Sequence, residues 1–409
     1  MRGNSGFIER SAEPYLPYLG HVQPDAVVLD GGAVLMVVEL HGQAHELAAV
    51  SERNAAARFW NGLYRNIQDD TLTVGAYLVR NQQVEDPPPR RFRNAFAADL
   101  YRTYCERVLK NRLYKNTWYL FIIVSPRVPG TGRVTGRKMS RTLARWRRRA
   151  AAPAPELLVV LDDLWATLSR SLDGFGLRRL GLREHNGVLF SEIAEALRLI
   201  LYGEFLPVPL VSGLLGNAIY TDRVIFGRRA FEIRAPGAAR FGAIFGLREY
   251  MMATRPGMLD AILSLPMTLV LSQSFGFLAR PDALGKLSLK TNQMVAAADK
   301  AKSQVEGLIE AQDRLASGEF TMGMHHLSLA VYGNSLAELD GHASAARSAL
   351  ADSGAVVVQE SLGMEAAYFA QLPGNTEWRP RPGAISSRNF AHLAGFGAFP
   401  TGSLEGFWR

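Results

Sequence analysis

A phosphate-binding loop needs the pattern G-x-x-x-x-G-K-[ST], in which glycines let backbone N–H groups approach phosphate, lysine contacts the β- and γ-phosphates and a hydroxyl binds magnesium. The only Gly-Lys pair in the sequence is Gly285-Lys286. Leu287 follows it in place of Ser or Thr, and Arg280 stands where the first glycine would be. The sequence therefore contains no intact P-loop, and we expect no catalytic residue and no cofactor site in this chain.

The acidic and histidine side chains do not suggest a catalytic or metal site either. Two adjacent pairs are present, Asp162-Asp163 and Glu184-His185. Neighbouring side chains on a helix or strand diverge, so neither pair converges on one substrate atom. His325 and His326 would point to opposite faces of a predicted strand, and with His342 they lack the spacing of a zinc ligand set. We interpret them as structural histidines and expect no metal site.

A basic segment at residues 127–149 is the strongest local feature of composition. It has nine basic residues and no acidic one: Arg127, Arg133, Arg137, Lys138, Arg141, Arg145, Arg147, Arg148 and Arg149. Without these charges the formal net charge of +8 would be −1, so the rest of the chain is nearly neutral.

Three interpretations of this segment stay open. It is a flexible solvated loop, a site for anionic lipid with Trp146 as the interfacial anchor, or a nucleic-acid site with one aromatic side chain for base stacking. We predict anionic-surface binding at residues 133–149 and keep an independent nucleic-acid-binding accessory protein as the alternative function.

Composition indicates a globular cytoplasmic protein of more than one domain. A chain of 409 residues exceeds what one core usually supports. The single Cys105 excludes an internal disulfide, fits a reducing compartment and is interpreted as a small core residue. The opening residues lack the apolar core of a secretory signal, and no run reaches the length of a membrane span. Any membrane contact is therefore expected to be peripheral.

Alternating strand and helix patterns predict an α/β (α+β) fold of layered mixed sheets covered by helices. Two apolar runs around Asp30-Gly31-Gly32 predict a β-hairpin, and Trp60, Leu63 and Tyr64 lie at helical spacing after about Val50. We expect an N-terminal α/β domain at residues 1–150, a central α/β domain at 151–378 and a linker at 379–409. The alanine- and proline-rich stretch at 150–155 supports the first boundary.

One long helix is predicted in the central domain, from about Asp282 to Ala316. Apolar and small residues step by three and four from Leu284 to Leu315, which is a heptad spacing. The favoured interpretation is packing against the helix that follows Ser335, and the alternative is a protruding arm for subunit contact.

Short motifs cluster toward the end of the sequence. They are Gly318-Glu319, His325-His326-Leu327-Ser328-Leu329, Leu372-Pro373-Gly374-Asn375, Arg379 with Arg381, Ser386-Ser387 with Asn389, and the glycine-rich close at Gly402, Gly406 and Trp408. With the proline–tyrosine opening at residues 14–18, they resemble the region before the nucleotide-binding domain in the large assembly ATPase of type IV secretion systems. The resemblance is strongest after about Ala311 and touches most of the chain.

For a complete protein, this resemblance implies ATP hydrolysis with magnesium at the cytoplasmic face of the bacterial inner membrane. It also implies partners among other secretion components, including inner-membrane subunits, and homo-oligomers up to hexamers. The secretion system would serve conjugation or effector export. Because no P-loop is present, we expect this chain to be the N-terminal and central docking region of such an ATPase, inactive alone and without its motor domain.

The closing segment after Asn375 is predicted to be an adaptor that becomes ordered against the motor domain, because its glycines and prolines support no regular period. Its proposed contact residues are Phe390, Phe396, Phe399, Phe407 and Trp408. The alternative is a tail that packs back on the central sheet.

Overall fold

A computed structural model describes residues 11–44, 48–83, 90–110, 113–127, 155–296 and 302–398. Seventeen strands lie within these residues. They are β1 (Tyr18–Gln23), β2 (Ala26–Leu29), β3 (Val34–Leu40), β4 (Gln43–Ala44), β5 (Leu72–Gln83), β6 (Leu113–Val124), β7 (Leu177–Arg179), β8 (Leu182–His185), β9 (Val188–Ser191), β10 (Arg223–Phe226), β11 (Phe231–Ala235), β12 (Ala238–Glu249), β13 (Leu269–Phe277), β14 (Met322–Gly333), β15 (Val356–Gln359), β16 (Gly383–Ser386) and β17 (Gly397–Ala398).

Thirteen of these strands form one large sheet in the order β1-β2-β3-β6-β5-β13-β14-β12-β11-β10. The strands β7, β15 and β16 pair with β3, β12 and β14 beside this path. The sheet continues from the predicted N-terminal domain into the central one, because β5 pairs with β13 from Thr73↔Gly276 to Arg80↔Leu269. The proposed domain boundaries stay a prediction, and the sheet itself runs through both regions.

Eleven helices accompany the strands in the described residues. They are α1 (Val50–Asn66), α2 (Ala95–Lys110), α3 (Pro155–Ser171), α4 (Glu192–Tyr202), α5 (Leu215–Ile219), α6 (Asp260–Leu263), α7 (Arg280–Ala296), α8 (Lys302–Ala316), α9 (Leu336–Ala351), α10 (Met364–Ala370) and α11 (Ser387–Leu393). No described helix is long and apolar enough to cross a bilayer. The layered α/β fold class is confirmed.

Helices cover both faces of the sheet, because alternate side chains of a strand point to opposite faces. On β3, Met36 and Val38 belong to one core with α1, α3, α6, α9 and α11. Leu35 and Val37, on the other face, belong to a second core with α4, α5 and α10. The sheet therefore has two cores, and residues from both halves of the chain contribute to each.

Local sequence signals account for the bounds of several elements. The predicted hairpin is β2–β3, where Gly31 and Gly32 take positive φ values of 84° and 81° in the turn. Helix α4 begins at Ser191, whose hydroxyl accepts a hydrogen bond from the Ala194 amide, and ends at Gly203 with φ of 64°. A side-chain oxygen satisfies a free helix N–H at the first position, and glycine tolerates the left-handed conformation at the last.

The single long helix predicted from about Asp282 to Ala316 is wrong. The structure has two helices, α7 and α8, which pack against each other. Gln312 Nε2 lies 2.9 Å from Thr291 Oγ1, whereas 21 residues of one straight helix would separate them by about 30 Å. The two helices therefore lie side by side and do not form one continuous helix. Helix α9, the partner expected for the long helix, packs on β14 and β12 instead.

Candidate docking surfaces

The histidines of β14 are buried in the sheet. His325 Nδ1 lies 2.9 Å from the Tyr250 hydroxyl, and His325 Nε2 lies 3.2 Å from Gln273 Oε1. Burial lowers the pKa of His325 to about 3, and the Arg379 guanidinium contributes to the same shift. Burial also lowers the pKa of His326. Both histidines are therefore neutral near neutral pH, which suits a structural role and does not suit a general acid.

The remaining candidate chemical groups lie apart. Asp162 binds Arg179 at 3.0 Å, whereas Glu184 and His185 are exposed on the separate β8–β9 hairpin. No cluster of three or more His, Cys, Asp or Glu side chains that could hold a metal occurs in the described part of the chain. Cys105 is half-buried on α2, not in a core as the sequence suggested.

The closing segment is built into the protein, which corrects the adaptor prediction for Phe390 and Phe396. Both side chains are fully buried in the core that α1 shares with the sheet. The Phe390 ring stacks on Phe275 at 4.9 Å, and the Phe396 ring stacks on Trp60 at 4.4 Å. These aromatic contacts gain more from burial than the segment loses in chain entropy. The other three predicted contact residues, Phe399, Phe407 and Trp408, lie outside the described residues.

Polar contacts fix the backbone of the closing segment to the N-terminal strands. The Trp118 indole donates to the Gly397 carbonyl at 2.8 Å, and the Gln43 amide donates to the Phe396 carbonyl at 2.9 Å. The strand β17 pairs in parallel with β4 at this point. A Cβ at Gly42 would lie 2.6 Å from the Phe396 carbonyl oxygen, so only glycine allows this approach.

A groove of about 750 Å³ runs beside this contact. Its lining includes Phe59 on α1, Phe175 in the turn after α3, Asp260 at the start of α6, and Gly395 and Gly397 of the closing segment. The groove thus lies where α1, α6 and the closing segment meet, and its lining is mostly apolar. Concave apolar surfaces with a few polar groups are the usual form of binding sites.

An apolar patch occupies a different part of the surface. The residues Val188 and Leu189 of β9 lie beside an exposed loop, where the Leu210 amide donates to the Leu189 carbonyl at 2.8 Å. The patch consists of large apolar side chains that are 36–52% exposed: Val188, Leu189, Phe205, Leu206, Leu210, Val211 and Leu214. Contiguous exposed apolar surface of this kind marks interaction sites on folded proteins.

Two family models match the chain. Residues 178–381 match the CagE, TrbE, VirB family, a component of the type IV transporter system. Residues 25–132 match the N-terminal domain of the type IV secretion system ATPase VirB4/TrbE. The chain belongs to this family. The family assignment from the sequence motifs is therefore confirmed.

Individual relatives align along nearly the whole chain. It is 50% identical over 408 residues to protein virB4 of Agrobacterium fabrum, covering 100% of this chain and 51% of that protein. It is 37% identical to type IV secretion system protein virB4 of Bartonella henselae, covering 97% of this chain and 50% of that protein. With PtlC of Bordetella pertussis the identity is 26% over 97% of this chain and 48% of that protein. The chain thus spans about half the length of the curated relatives it matches.

The two family matches meet at the groove. The groove combines α1, from the VirB4/TrbE match, with α6, from the CagE, TrbE, VirB match. The anchored residues 383–398 follow directly after residue 381, where the second match ends. The groove and its anchor are therefore a junction between the two regions that define the family.

The predicted anionic-surface site at residues 133–149 lies outside the described residues. Of the nine basic residues of the basic segment only Arg127 is described, at 2.7 Å from Asp69 and 3.6 Å from Asp70. These side chains are largely exposed, so this ion pair contributes little to folding. Lipid or nucleic-acid binding by residues 133–149 stays a prediction.

Sequence reasoning missed both the groove and the apolar patch. A signal for the patch was present, because residues 205–220 contain no charged side chain and several large apolar ones. No comparable signal marks the groove, since its walls come from four separated stretches of the chain.

Proposed function

We propose that this chain is the docking portion of a type IV secretion ATPase that energises transfer at the cytoplasmic face of the bacterial inner membrane. ATP and magnesium would bind in the part of the relatives that this chain does not span. The anchored closing segment carries the proposal, because residues 383–398 contact both family-matched regions and place Ala398 beside the groove.

The anchor gives the following part of the protein a fixed point of attachment. Ser387 Oγ bonds to Asn61 of α1 at 2.7 Å and to the Thr321 amide before β14 at 3.0 Å. The Gln273 amide donates to the Leu393 carbonyl at 3.0 Å in the centre of the sheet. The chain that follows residue 398 would therefore start from beside the groove, and its movements would act on the core that contains Phe390 and Phe396.

The two apolar surfaces suit different partners. The groove suits the motor domain, since the closing segment that leads toward it forms one wall. The apolar patch suits other secretion components, including inner-membrane subunits, and neighbouring copies in a homo-oligomer. In this proposal the chain also attaches peripherally to the membrane.

A transfer assay tests this docking function. The chain is expressed in a bacterium that performs type IV transfer with its own intact relative of this family. It should occupy docking sites without contributing a motor, so transfer frequency should fall by tenfold or more. Ala55→Arg places a charged side chain in the groove and should relieve the inhibition. Ala337→Arg, at an exposed position of α9 outside the groove, is the matched control and should inhibit as the parent does.

Calorimetry with magnesium and a nonhydrolysable ATP analogue tests whether residues 1–409 bind ATP by themselves. The purified chain should show no micromolar binding, because it has no P-loop lysine or hydroxyl. Micromolar ATP binding, or normal transfer despite abundant folded chain, would contradict the proposal. Tight binding of single-stranded DNA together with normal transfer would favour the accessory-protein alternative.

A further inference from the structure

Helix α2 exposes apolar side chains that nothing described covers. None of the residues 95–107 of this 16-residue helix is buried. Phe96, Leu100 and Tyr104 are 77%, 60% and 64% exposed and, being four residues apart, lie along one side of the helix. Most helical stability in proteins comes from packing an amphipathic face, so this stripe indicates a surface for an external partner.

The charge around α2 is strongly positive. Residues 90–110 contain two acidic residues, Asp99 and Glu106, and six basic ones: Arg90, Arg91, Arg93, Arg102, Arg107 and Lys110. Their formal net charge is therefore +4. Asp99 binds Arg102 at 2.9 Å. The acidic residues nearest in sequence to the cluster at positions 90–93 are Glu85 and Asp86, and residues 85–112 still carry a formal net charge of +3.

We propose that α2 binds an anionic lipid surface, with its apolar stripe in the headgroup boundary and its arginines on the phosphates. Aromatic and leucine side chains on one side of a helix, with arginines close by, are typical of helices that lie in the plane of a membrane interface. A second copy is a poor occupant, because two copies of residues 90–110, each of formal charge +4, repel each other. The inference rests on the peripheral membrane position in the proposed function and assigns that contact to a definite helix.

The position of α2 separates it from the basic segment. The helix connects β5 and β6 at the end of their ladder where Gln83 pairs with Leu113. Arg127 follows the opposite end of β6, about 40 Å away along twelve residues of strand. The two basic regions therefore leave the hairpin at opposite ends, and the contribution of each to lipid binding can be measured alone.

Vesicle sedimentation of the whole purified chain tests the inference. The parent should bind phosphatidylglycerol-containing vesicles, bind phosphatidylcholine vesicles at least tenfold more weakly, and lose binding with added salt. Combining Phe96→Ser, Leu100→Ser and Tyr104→Ser should weaken anionic-vesicle binding at least tenfold without lowering the melting temperature, since these side chains are exposed. Combining Arg91→Gln, Arg93→Gln and Arg107→Gln should weaken it by a similar factor.

The matched control combines Val159→Ser, Val160→Ser and Leu289→Ser, which removes three exposed apolar side chains from α3 and α7. It should bind vesicles as the parent does. Equal binding by the parent and the α2 serine variant would overturn the inference, as would no vesicle binding by the parent. Loss of co-purification with a secretion component, with vesicle binding unchanged, would show that α2 binds protein. These lipid measurements use no transfer assay, so their failure is distinct from failure of the docking function.

Discussion

At the scale of single residues, His325 shows how the sheet holds a polar side chain in its interior. Both ring nitrogens have partners, the Tyr250 hydroxyl at 2.9 Å and Gln273 Oε1 at 3.2 Å. The ring is satisfied only while it is neutral, because a positive charge here would be desolvated and would face the Arg379 guanidinium. The folding stability of the protein therefore depends on pH through this side chain.

The folded pKa of His325, about 3, lies below its unfolded value of 6.5. Between pH 3 and 6.5 the unfolded chain binds a proton at this histidine more readily than the folded chain does. The stability that the neutral ring contributes is therefore fully present above pH 6.5 and is lost as the pH falls. His325 should contribute a slope of about 1.4 kcal/mol per pH unit in that window. Between pH 6.5 and 5, the unfolding free energy of His325→Gln should change less steeply with pH than that of the parent. The difference in slope should correspond to about one bound proton.

Denaturant unfolding at several pH values measures this slope. A comparison of the two proteins at pH 7.5, where the wild-type ring is neutral, gives the packing cost of the substitution separately. Parallel pH profiles for the parent and His325→Gln would contradict the prediction.

At the scale of elements, the closing segment owes its order to tertiary contacts. Phe396 adopts a left-handed backbone with φ of 48°, which is uncommon for a bulky residue. Its ring lies between Trp60 at 4.4 Å and Trp118 at 5.1 Å, and its carbonyl accepts from the Gln43 amide. These contacts hold a conformation that the local sequence alone disfavours.

Phe396→Ala should lower the unfolding free energy by about 3–5 kcal/mol, because it leaves a cavity between the two indole rings. Phe59→Ala is the matched control: Phe59 lines the groove beside this contact but is 40% exposed, so its truncation should cost about 1 kcal/mol. Hydrogen exchange should also show strong protection of the Gln43 amide in the parent and its loss in Phe396→Ala. Equal costs for the two variants, with fast exchange in the parent, would restore the adaptor interpretation.

At the scale of the whole molecule, the basic segment is the largest single source of positive charge. The nine basic residues of the basic segment account for more than the entire formal charge of +8. Arg127, its described member, makes exposed ion pairs at the end of β6 and touches neither core. We therefore expect that removing charges from this segment leaves the folding stability of the protein nearly unchanged.

Replacing Arg145, Arg147, Arg148 and Arg149 with Gln should change the unfolding free energy by no more than about 0.5 kcal/mol, since solvated charges contribute little to folding. Binding to anionic vesicles should fall, and parent binding should weaken with salt. Thermal unfolding and vesicle sedimentation check the two expectations. Unfolding of the variant, or a parent preference for single-stranded DNA over vesicles, would contradict this interpretation of the segment.

The sequence by itself determined the turns, helix ends and motifs that depend only on residues close together in the chain. The glycines at 31 and 32 set the β2–β3 turn, and Ser191 and Gly203 set the ends of α4. The absence of a P-loop and the motifs around Leu372-Pro373-Gly374-Asn375 were equally readable, and they led to the correct family. Each of these signals is complete within a few residues, so no knowledge of distant contacts was needed.

Only the tertiary structure decided which surfaces cover one another. Heptad spacing from Leu284 onward shows which side of a helix is apolar but does not say where the chain turns back, and the Thr291–Gln312 contact required a fold. The glycine-rich closing segment looked unable to order alone, yet α1 and the sheet supply the rings that bury Phe390 and Phe396. Apolar burial is non-directional, so its partners are set by the global arrangement of the chain and not by local pattern.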